Sequence, residues 1–118
     1  MGTILIIEDN KEVRENTAEL LELEGYKVHT AVNGREGFQQ TMDLLPDLVI
    51  CDVMMPELDG MGFLKLVKSN TTTARIPLLF FSAGSSPLEN KLDQQNYQFL
   101  RKPFTDKNLY SMIARCLL

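Results

Sequence analysis

The sequence predicts an α/β domain, a doubly wound, five-stranded parallel sheet with five helices arranged as a three-layer sandwich. Five short apolar runs alternate with amphipathic stretches, a pattern typical of consecutive strand-helix-strand units. The first, third and fourth runs are continuously apolar, as expected for strands that helices cover on both faces. The predicted strands span residues 4–7, 27–31, 48–51, 78–81 and 97–100.

The first two helices are predicted from residues that favour helix ends. Asn10 is placed to cap the N-terminus of the first helix, and Gly25 is placed to end it. Asn33 followed by Glu36 forms a capping-box pattern at the start of the second helix, and Pro46 prevents that helix from continuing. These signals place one helix in each of the first two connections between strands.

The other three helices carry similar signals. Asp59 is placed to cap the third helix. Ser86 and Glu89 form a second capping-box pattern, which predicts a short fourth helix ending near Gln94. Thr105 is placed to cap the fifth helix. Each connection therefore contains a helix, and right-handed crossovers through these helices produce the doubly wound arrangement.

Composition and charge exclude several classes of protein. With 118 residues, of which 44% are hydrophobic and 24% charged, the chain is expected to form one globular domain. No apolar run approaches the length of a membrane span, and no leader sequence is recognisable, so a cytoplasmic location is expected. A net charge of -4 without a basic run argues against direct nucleic-acid binding. Cys51 and Cys116 lack metal-site spacing and are expected to be free thiols.

Polar side chains occur where four of the predicted strands end. Glu8 and Asp9 follow the first strand, Asp52 the third, Ser82 the fourth and Lys102 the fifth. In a parallel α/β sheet these strand ends meet at one edge, where ligands bind in a crevice. Each residue alone is more typical of an ordinary turn. Their combined composition indicates a site.

The chemistry of that site follows from its charges. Three carboxylates at one edge repel one another by about 4 kcal/mol per pair at 4 Å and an effective dielectric of 20. A cation relieves this repulsion, and oxygen ligands without nearby His or Cys favour Mg²⁺. Lys102 supplies a further positive charge. A carboxylate nucleophile, a divalent cation, a hydroxyl and a lysine are the groups that formation of an aspartyl phosphate requires.

Over essentially its whole length, residues 1–118, the chain resembles the receiver domain of two-component response regulators. The resemblance rests on four motifs at the strand ends. The matching residues are Glu8-Asp9, Asp52-Val53-Met54-Met55-Pro56-Glu57-Leu58-Asp59-Gly60, Phe81-Ser82-Ala83 and Lys102-Pro103-Phe104. It implies a single receiver domain with a flavodoxin-like sheet in the strand order 2-1-3-4-5.

The resemblance also implies a role for each residue of the site. Asp52 is the expected phosphoacceptor. The expected Mg²⁺ ligands are Glu8, Asp9, Asp52 and the backbone carbonyl of Met54. The residues expected to contact phosphoryl oxygens are Ser82 and Lys102. The residues expected to shape the loops are Pro56, Gly60 and Pro103, with the Lys102-Pro103 peptide bond in the cis form.

A switch and a set of partners follow from the same resemblance. Phosphorylation is expected to draw Ser82 inward and to let Phe99 rotate, which changes the surface formed by the fourth helix, fifth strand and fifth helix. The implied phosphodonor is a histidine kinase or a histidine phosphotransfer protein, with an output domain or protein, or a second copy in a homodimer, as further partners. The implied chemistry is limited to self-phosphorylation and self-dephosphorylation, so no enzyme activity is expected. The residues alone leave Phe99 open as an ordinary strand aromatic.

Three other functions compete with this interpretation. A phosphatase or dehalogenase with an aspartate nucleophile has a second Asp two residues later, where this chain has Met54. A flavodoxin-like flavin carrier has a phosphate-binding loop after the first strand, where this chain has Glu8 and Asp9. The remaining alternative is a receiver-like protein-interaction module that functions without phosphate.

Overall fold

A computed structural model of the chain describes residues 2–55, 58–83, 90–91 and 97–117. All five predicted strands lie within one residue of their predicted bounds. The strands are β1 (Thr3–Ile7), β2 (Lys27–Ala31), β3 (Leu48–Asp52), β4 (Leu78–Ser82) and β5 (Gln98–Arg101). The helices are α1 (Lys11–Leu23), α2 (Gly34–Leu44), α3 (Gly60–Ser69) and the C-terminal helix (Asp106–Cys116). Across these described ranges, no helix combines the length and the apolar character that crossing a bilayer requires.

The five strands form one parallel sheet in the order β2-β1-β3-β4-β5, which confirms the predicted topology. Successive side chains of a strand point to opposite faces. On β1, Leu5 and Ile7 belong to the core that lies under α2 and α3. Ile4 and Ile6 belong to the core under α1 and the C-terminal helix. Helices therefore cover both faces, which explains why β1, β3 and β4 are almost entirely apolar.

Each of the four described helices begins at the predicted capping residue. The capping side chain accepts a hydrogen bond from the backbone N–H three residues later, which satisfies a donor that the helix itself leaves unpaired. The pairs are Asn10 with Val13 at 3.0 Å, Asn33 with Glu36 at 2.8 Å, Asp59 with Gly62 at 2.9 Å and Thr105 with Asn108 at 3.1 Å.

The helix ends follow the predicted breakers. Gly25 has a φ of 97°, a left-handed conformation that glycine adopts without steric cost, and α1 ends just before it. Leu45, which precedes Pro46, has a φ of 47° and ends α2. Asn90 and Lys91 are helical, in agreement with the predicted fourth helix, but its predicted cap and end at Ser86, Glu89 and Gln94 lie outside the described residues. The described residues thus contain four complete helices rather than the five predicted.

Candidate functional site

The ends of four strands bring the predicted polar residues to one edge of the sheet. The pairing of β1 with β3 continues to the last residue of β1, so Glu8 and Asp52 leave the sheet side by side. The N–H of Lys102 donates to the carbonyl of Ser82 at 2.7 Å, which extends the pairing of β4 with β5 beyond the last strand. Glu8, Asp52 and Ser82 are buried, and Asp9 is exposed. The residues that sequence analysis selected therefore lie together.

Three carboxylates form an acidic cluster at this edge. One oxygen each from Glu8, Asp9 and Asp52 lies within 4.8 Å of the other two. The side chain of Glu8 is completely buried, and burying an unpaired charge carries a large desolvation cost. Because every donor is a carboxylate oxygen, the cluster fits a hard cation such as Mg²⁺. In the structure of the chain alone, part of the compensating charge comes from a lysine.

Lys102 is paired with two of the three carboxylates. Its Nζ lies 2.7 Å from Glu8 Oε1 and 3.1 Å from Asp52 Oδ2. Burial acts to lower the pKa of Lys102, but its hydrogen bond to Glu8 and the charges of Asp52 and Glu8 outweigh burial and raise the pKa. The Lys102-Pro103 peptide bond is cis, as the resemblance implies. Lys102 is therefore a charged bridge between two strand ends.

Glu8 is held in an environment that favours its protonated form. Burial, together with a hydrogen bond from protonated Glu8 to Asp52, raises the pKa of Glu8 from 4.5 to about 7. The hydrogen bond from Lys102 opposes this rise, as does the 3.2 Å bond that the Asn10 N–H donates to Glu8 Oε2. A cation that replaced the proton would restore the charge balance of the cluster.

The segment after β3 turns back over the end of the sheet. The N–H of Met54 donates to Asp52 Oδ1 at 3.2 Å, and the Met54 side chain is 57% exposed. The N–H of Gly60 donates to the Val53 carbonyl at 2.9 Å, and a Cβ at Gly60 would lie 3.0 Å from Val53 Cα. The absence of a side chain at Gly60 therefore permits this close approach. Pro56 lies outside the described residues.

An aromatic contact connects β4 with the predicted switch residue. Phe80 and Ser82 point to the same face of β4, and the rings of Phe80 and Phe99 lie 6.0 Å apart. Tyr97 also packs edge-on against Phe80, at a ring distance of 5.8 Å. Phe99 is partly buried against the core under α3. Phe80 belongs to the same strand as Ser82, and its ring contacts the partly buried ring of Phe99.

Sequence analysis missed one residue that contacts the site. Arg14, in the second turn of α1, donates from Nη1 to the backbone carbonyls of Glu8 at 2.9 Å and of Asp9 at 3.4 Å. A signal for this contact was present, because helical side chains tilt toward the helix N-terminus and a long side chain in the second turn reaches back over the preceding loop. Spacing alone did not distinguish Arg14 from a solvated surface charge.

Comparison with known proteins gives a consistent match. A family model described as "Response regulator receiver domain" matches residues 4–114. The transcriptional regulatory protein CpxR of Escherichia coli is 34% identical over 122 residues, covering 99% of this chain and 50% of that protein. The hybrid signal transduction histidine kinase D of Dictyostelium discoideum is 33% identical over 116 residues, covering 97% of this chain and 7% of the kinase.

A solved structure agrees with the sequence matches. The chemotaxis protein CheY4 of Vibrio cholerae superposes with a TM-score of 0.90 at 30% identity, covering 99% of both chains. By contrast, the chain spans half or less of the two curated relatives described above. The similarity to those larger proteins is therefore limited to one module of each.

Proposed function

The chain belongs to the response regulator receiver domain family, and from that membership we propose that it is a phosphorylation-operated switch in a two-component phosphorelay. Its relatives include a transcriptional regulator and a hybrid histidine kinase, both larger proteins. We propose that residues 1–118 together form this receiver domain. Asp52 is the phosphoacceptor, and the phosphodonor is a phosphohistidine of a histidine kinase or of a histidine phosphotransfer protein.

One observation carries the proposal. The carboxylates of Glu8, Asp9 and Asp52 converge within 4.8 Å, and Lys102 bridges Glu8 and Asp52 with an ammonium group. A structural cluster of surface acids has no need to bury Glu8 or to place a lysine between two strand ends. Negative and positive groups paired at one edge of the sheet are suited to a reaction in which negative charge arrives with a phosphoryl group.

The proposed reaction is a direct phosphoryl transfer. An Asp52 carboxylate oxygen attacks the phosphorus atom, the bond from phosphorus to the donor histidine nitrogen breaks, and that nitrogen retains the electron pair. Lys102 moves from Asp52 Oδ2 to a phosphoryl oxygen, and the Ser82 hydroxyl donates to another. Hydrolysis of the aspartyl phosphate by water returns the Asp52 carboxylate and inorganic phosphate.

The residues that would hold Mg²⁺ are Glu8, Asp9, Asp52 and the Met54 carbonyl. The ion would supply positive charge to the phosphoryl oxygens as negative charge accumulates there. The Met54 N–H already donates to Asp52 Oδ1, so the Asp52 carboxylate is held with Oδ2 toward Lys102. The chain's own residues thus position the nucleophile before any donor arrives.

The proposed switch couples the phosphoryl group to Phe99. Each hydrogen bond that Ser82 or Lys102 makes to a phosphoryl oxygen contributes about 1.5–3 kcal/mol. Two or three such bonds approach the ~5.5 kcal/mol needed to convert a 1:99 population into 99:1. Movement of Ser82 would displace Phe80, which lies on the same face of the strand, and Phe80 contacts Phe99. The responding surface is the one formed by the predicted fourth helix, β5 and the C-terminal helix, where an output domain, an output protein or a second copy would dock.

The proposal has consequences for enzyme activity and location. A receiver of this kind modifies only itself, so it is a switch rather than an enzyme with an outside substrate. The proposal also includes a cytoplasmic location, which rests on membership of the receiver domain family.

Intact mass measured after incubation with Mg²⁺ and acetyl phosphate tests the proposal. We expect one phosphoryl group on the wild-type protein, and none on Asp52→Asn or when Mg²⁺ is removed by a chelator. Asp43→Asn is the matched control, because Asp43 is an exposed carboxylate on α2 and should leave the adduct unchanged.

Two outcomes would contradict the proposal. An adduct on Asp52→Asn would exclude Asp52 as the acceptor. A wild-type protein that binds Mg²⁺ but forms no adduct, even with a phosphorylated histidine phosphotransfer protein, would favour an interaction module that functions without phosphate.

A further inference from the structure

The Arg14 side chain spans the loop that carries two of the proposed Mg²⁺ ligands. Its Nη1 donates to the Glu8 carbonyl at 2.9 Å and to the Asp9 carbonyl at 3.4 Å, so one nitrogen holds two consecutive peptide groups. The ion pairs found among the described residues do not include Arg14. The contacts described for its guanidinium are therefore made to the backbone of the loop rather than to a carboxylate.

Other bonds hold Glu8 from different directions. The Glu8 N–H donates to the Ala31 carbonyl at 3.1 Å, which extends the pairing of β1 with β2. The Glu8 side chain accepts from the Asn10 N–H at 3.2 Å and from Lys102 Nζ at 2.7 Å. Asp9 is exposed, and of its groups the structure describes a bond only at the carbonyl held by Arg14. The peptide group between Asp9 and Asn10 is thus held at its carbonyl by Arg14 and at its N–H by the Glu8 side chain, and Arg14→Ala removes the first of these two contacts.

We propose that Arg14 is a positioning residue for Mg²⁺ binding, an inference that rests on the proposed function. By fixing the carbonyls of Glu8 and Asp9, Arg14 fixes the backbone dihedral angles between them and so the direction in which the two carboxylates leave the loop. Groups that hold metal ligands in place typically contribute about 10-fold to 100-fold to metal affinity.

A role of Arg14 as a positive charge and a role in positioning the ligands predict opposite changes in Mg²⁺ affinity when Arg14 is removed. If Arg14 acted only as a positive charge near the acidic cluster, its removal would reduce repulsion of Mg²⁺ and tighten binding. If Arg14 positions the ligands, its removal weakens binding although a repelling charge has been lost. The sign of the change in Mg²⁺ affinity thus separates the two roles.

Titration calorimetry with Mg²⁺ on the wild type, Arg14→Ala and Lys11→Ala measures that sign. Lys11→Ala is the matched control, because Lys11 is a cation on the same helix with an exposed side chain and only a distant 3.9 Å ion pair to Glu15. We expect the Mg²⁺ dissociation constant to rise about 10-fold or more in Arg14→Ala and to stay equal or fall in Lys11→Ala. Unchanged or tighter binding by Arg14→Ala would overturn the proposal.

Amide hydrogen exchange of the metal-free proteins provides a second measurement that does not depend on the ion. We expect exchange at Glu8 and Asn10, whose N–H groups donate to the Ala31 carbonyl and to the Glu8 carboxylate, to become faster in Arg14→Ala, while amides in β3 and β4 keep their wild-type protection. Equal exchange in both proteins would overturn the positioning role. A wild-type protein that bound no Mg²⁺ would instead overturn the proposed metal site and, with it, the role of Arg14 in metal binding.

Discussion

Replacing Glu8 with Gln should remove a large part of the pH dependence of stability in the metal-free protein. Glu8 is completely buried and its pKa is raised from 4.5 to about 7. Glutamine keeps the size and the polar end of the side chain but has no proton to release. The difference between the two proteins therefore isolates the titration of this carboxyl group.

The direction of the change in stability with pH follows from which state, folded or unfolded, binds the proton of Glu8 more tightly. A carboxyl group with a pKa of 4.5 in the unfolded chain and about 7 in the folded protein favours the folded state while it is protonated in both. That stabilisation is fully present below pH 4.5, decreases as the pH rises and is lost above pH 7. At about 1.4 kcal/mol per pH unit, the wild-type protein should lose about 2.5 kcal/mol between pH 5 and pH 8.5 from Glu8 alone.

Urea unfolding followed by circular dichroism, with a chelator present, measures this loss at pH 5 and pH 8.5. Between pH 5 and pH 8.5, the unfolding free energy of the wild type should fall by about 2.5 kcal/mol more than that of Glu8→Gln. Asp43→Asn, which removes an exposed carboxyl group on α2, should show the wild-type change. At pH 8.5 a Mg²⁺ concentration of 100 times the dissociation constant should then stabilise the wild type by about 2.7 kcal/mol.

Two results would refute this reasoning. If Glu8→Gln loses as much stability with rising pH as the wild type, the titration of Glu8 is not coupled to folding. If stability instead rises between pH 5 and pH 8.5 in the wild type relative to Glu8→Gln, the attraction of Lys102 exceeds the effect of burial and the sign of the pKa shift is reversed.

Three further predictions concern the residues around the site. Lys102→Met should slow phosphorylation in the intact-mass assay yet tighten Mg²⁺ binding about 10-fold or more by calorimetry, because the Lys102 ammonium lies 2.7 Å from Glu8 and 3.1 Å from Asp52 and repels a cation held by the same carboxylates; unchanged affinity would show that Lys102 does not compete with the ion. Asp59→Ala should lower the unfolding free energy by about 1 kcal/mol in urea through loss of the α3 cap, and no change would exclude a stabilising cap. Gly34→Ala should lower the unfolding free energy by about 1–3 kcal/mol, because the new Cβ would clash with the Leu58 backbone oxygen. Gly62→Ala should be better tolerated, because its closest contact is the end of the flexible Leu58 side chain; equal effects would contradict the role of the backbone contact.

The strands and helix starts were predictable because their signals are local. A strand buried on both faces is apolar along its length, as β3 is from Leu48 to Cys51, and this pattern is visible without any tertiary information. A capping side chain such as Asn33 bonds a backbone N–H only three residues away. The predicted fourth helix, by comparison, rests on the sequence signal and on the helical state of Asn90 and Lys91.

The membership of the candidate site was also predictable, because parallel strands end at one edge. Glu8, Asp52 and Lys102 could be selected from their positions after three strands, although 94 residues separate Glu8 from Lys102. The resemblance to receiver domains added the expected Mg²⁺ ligand set and the cis Lys102-Pro103 bond. Of these two, the structure contains the cis bond. Arg14 was missed, because its contact to two carbonyls depends on how α1 packs over the loop.

The sequence by itself determined which residues could form the sheet, the helix caps and an acidic site. Only the tertiary structure decided that Glu8 is completely buried, that its pKa rises to about 7 and that Lys102 bridges Glu8 and Asp52. The physical reason is the separation along the chain of the residues that each interaction brings together. Backbone conformation and capping depend on neighbours a few residues away, whereas desolvation and charge pairing depend on distances of a few ångströms between residues far apart in the chain.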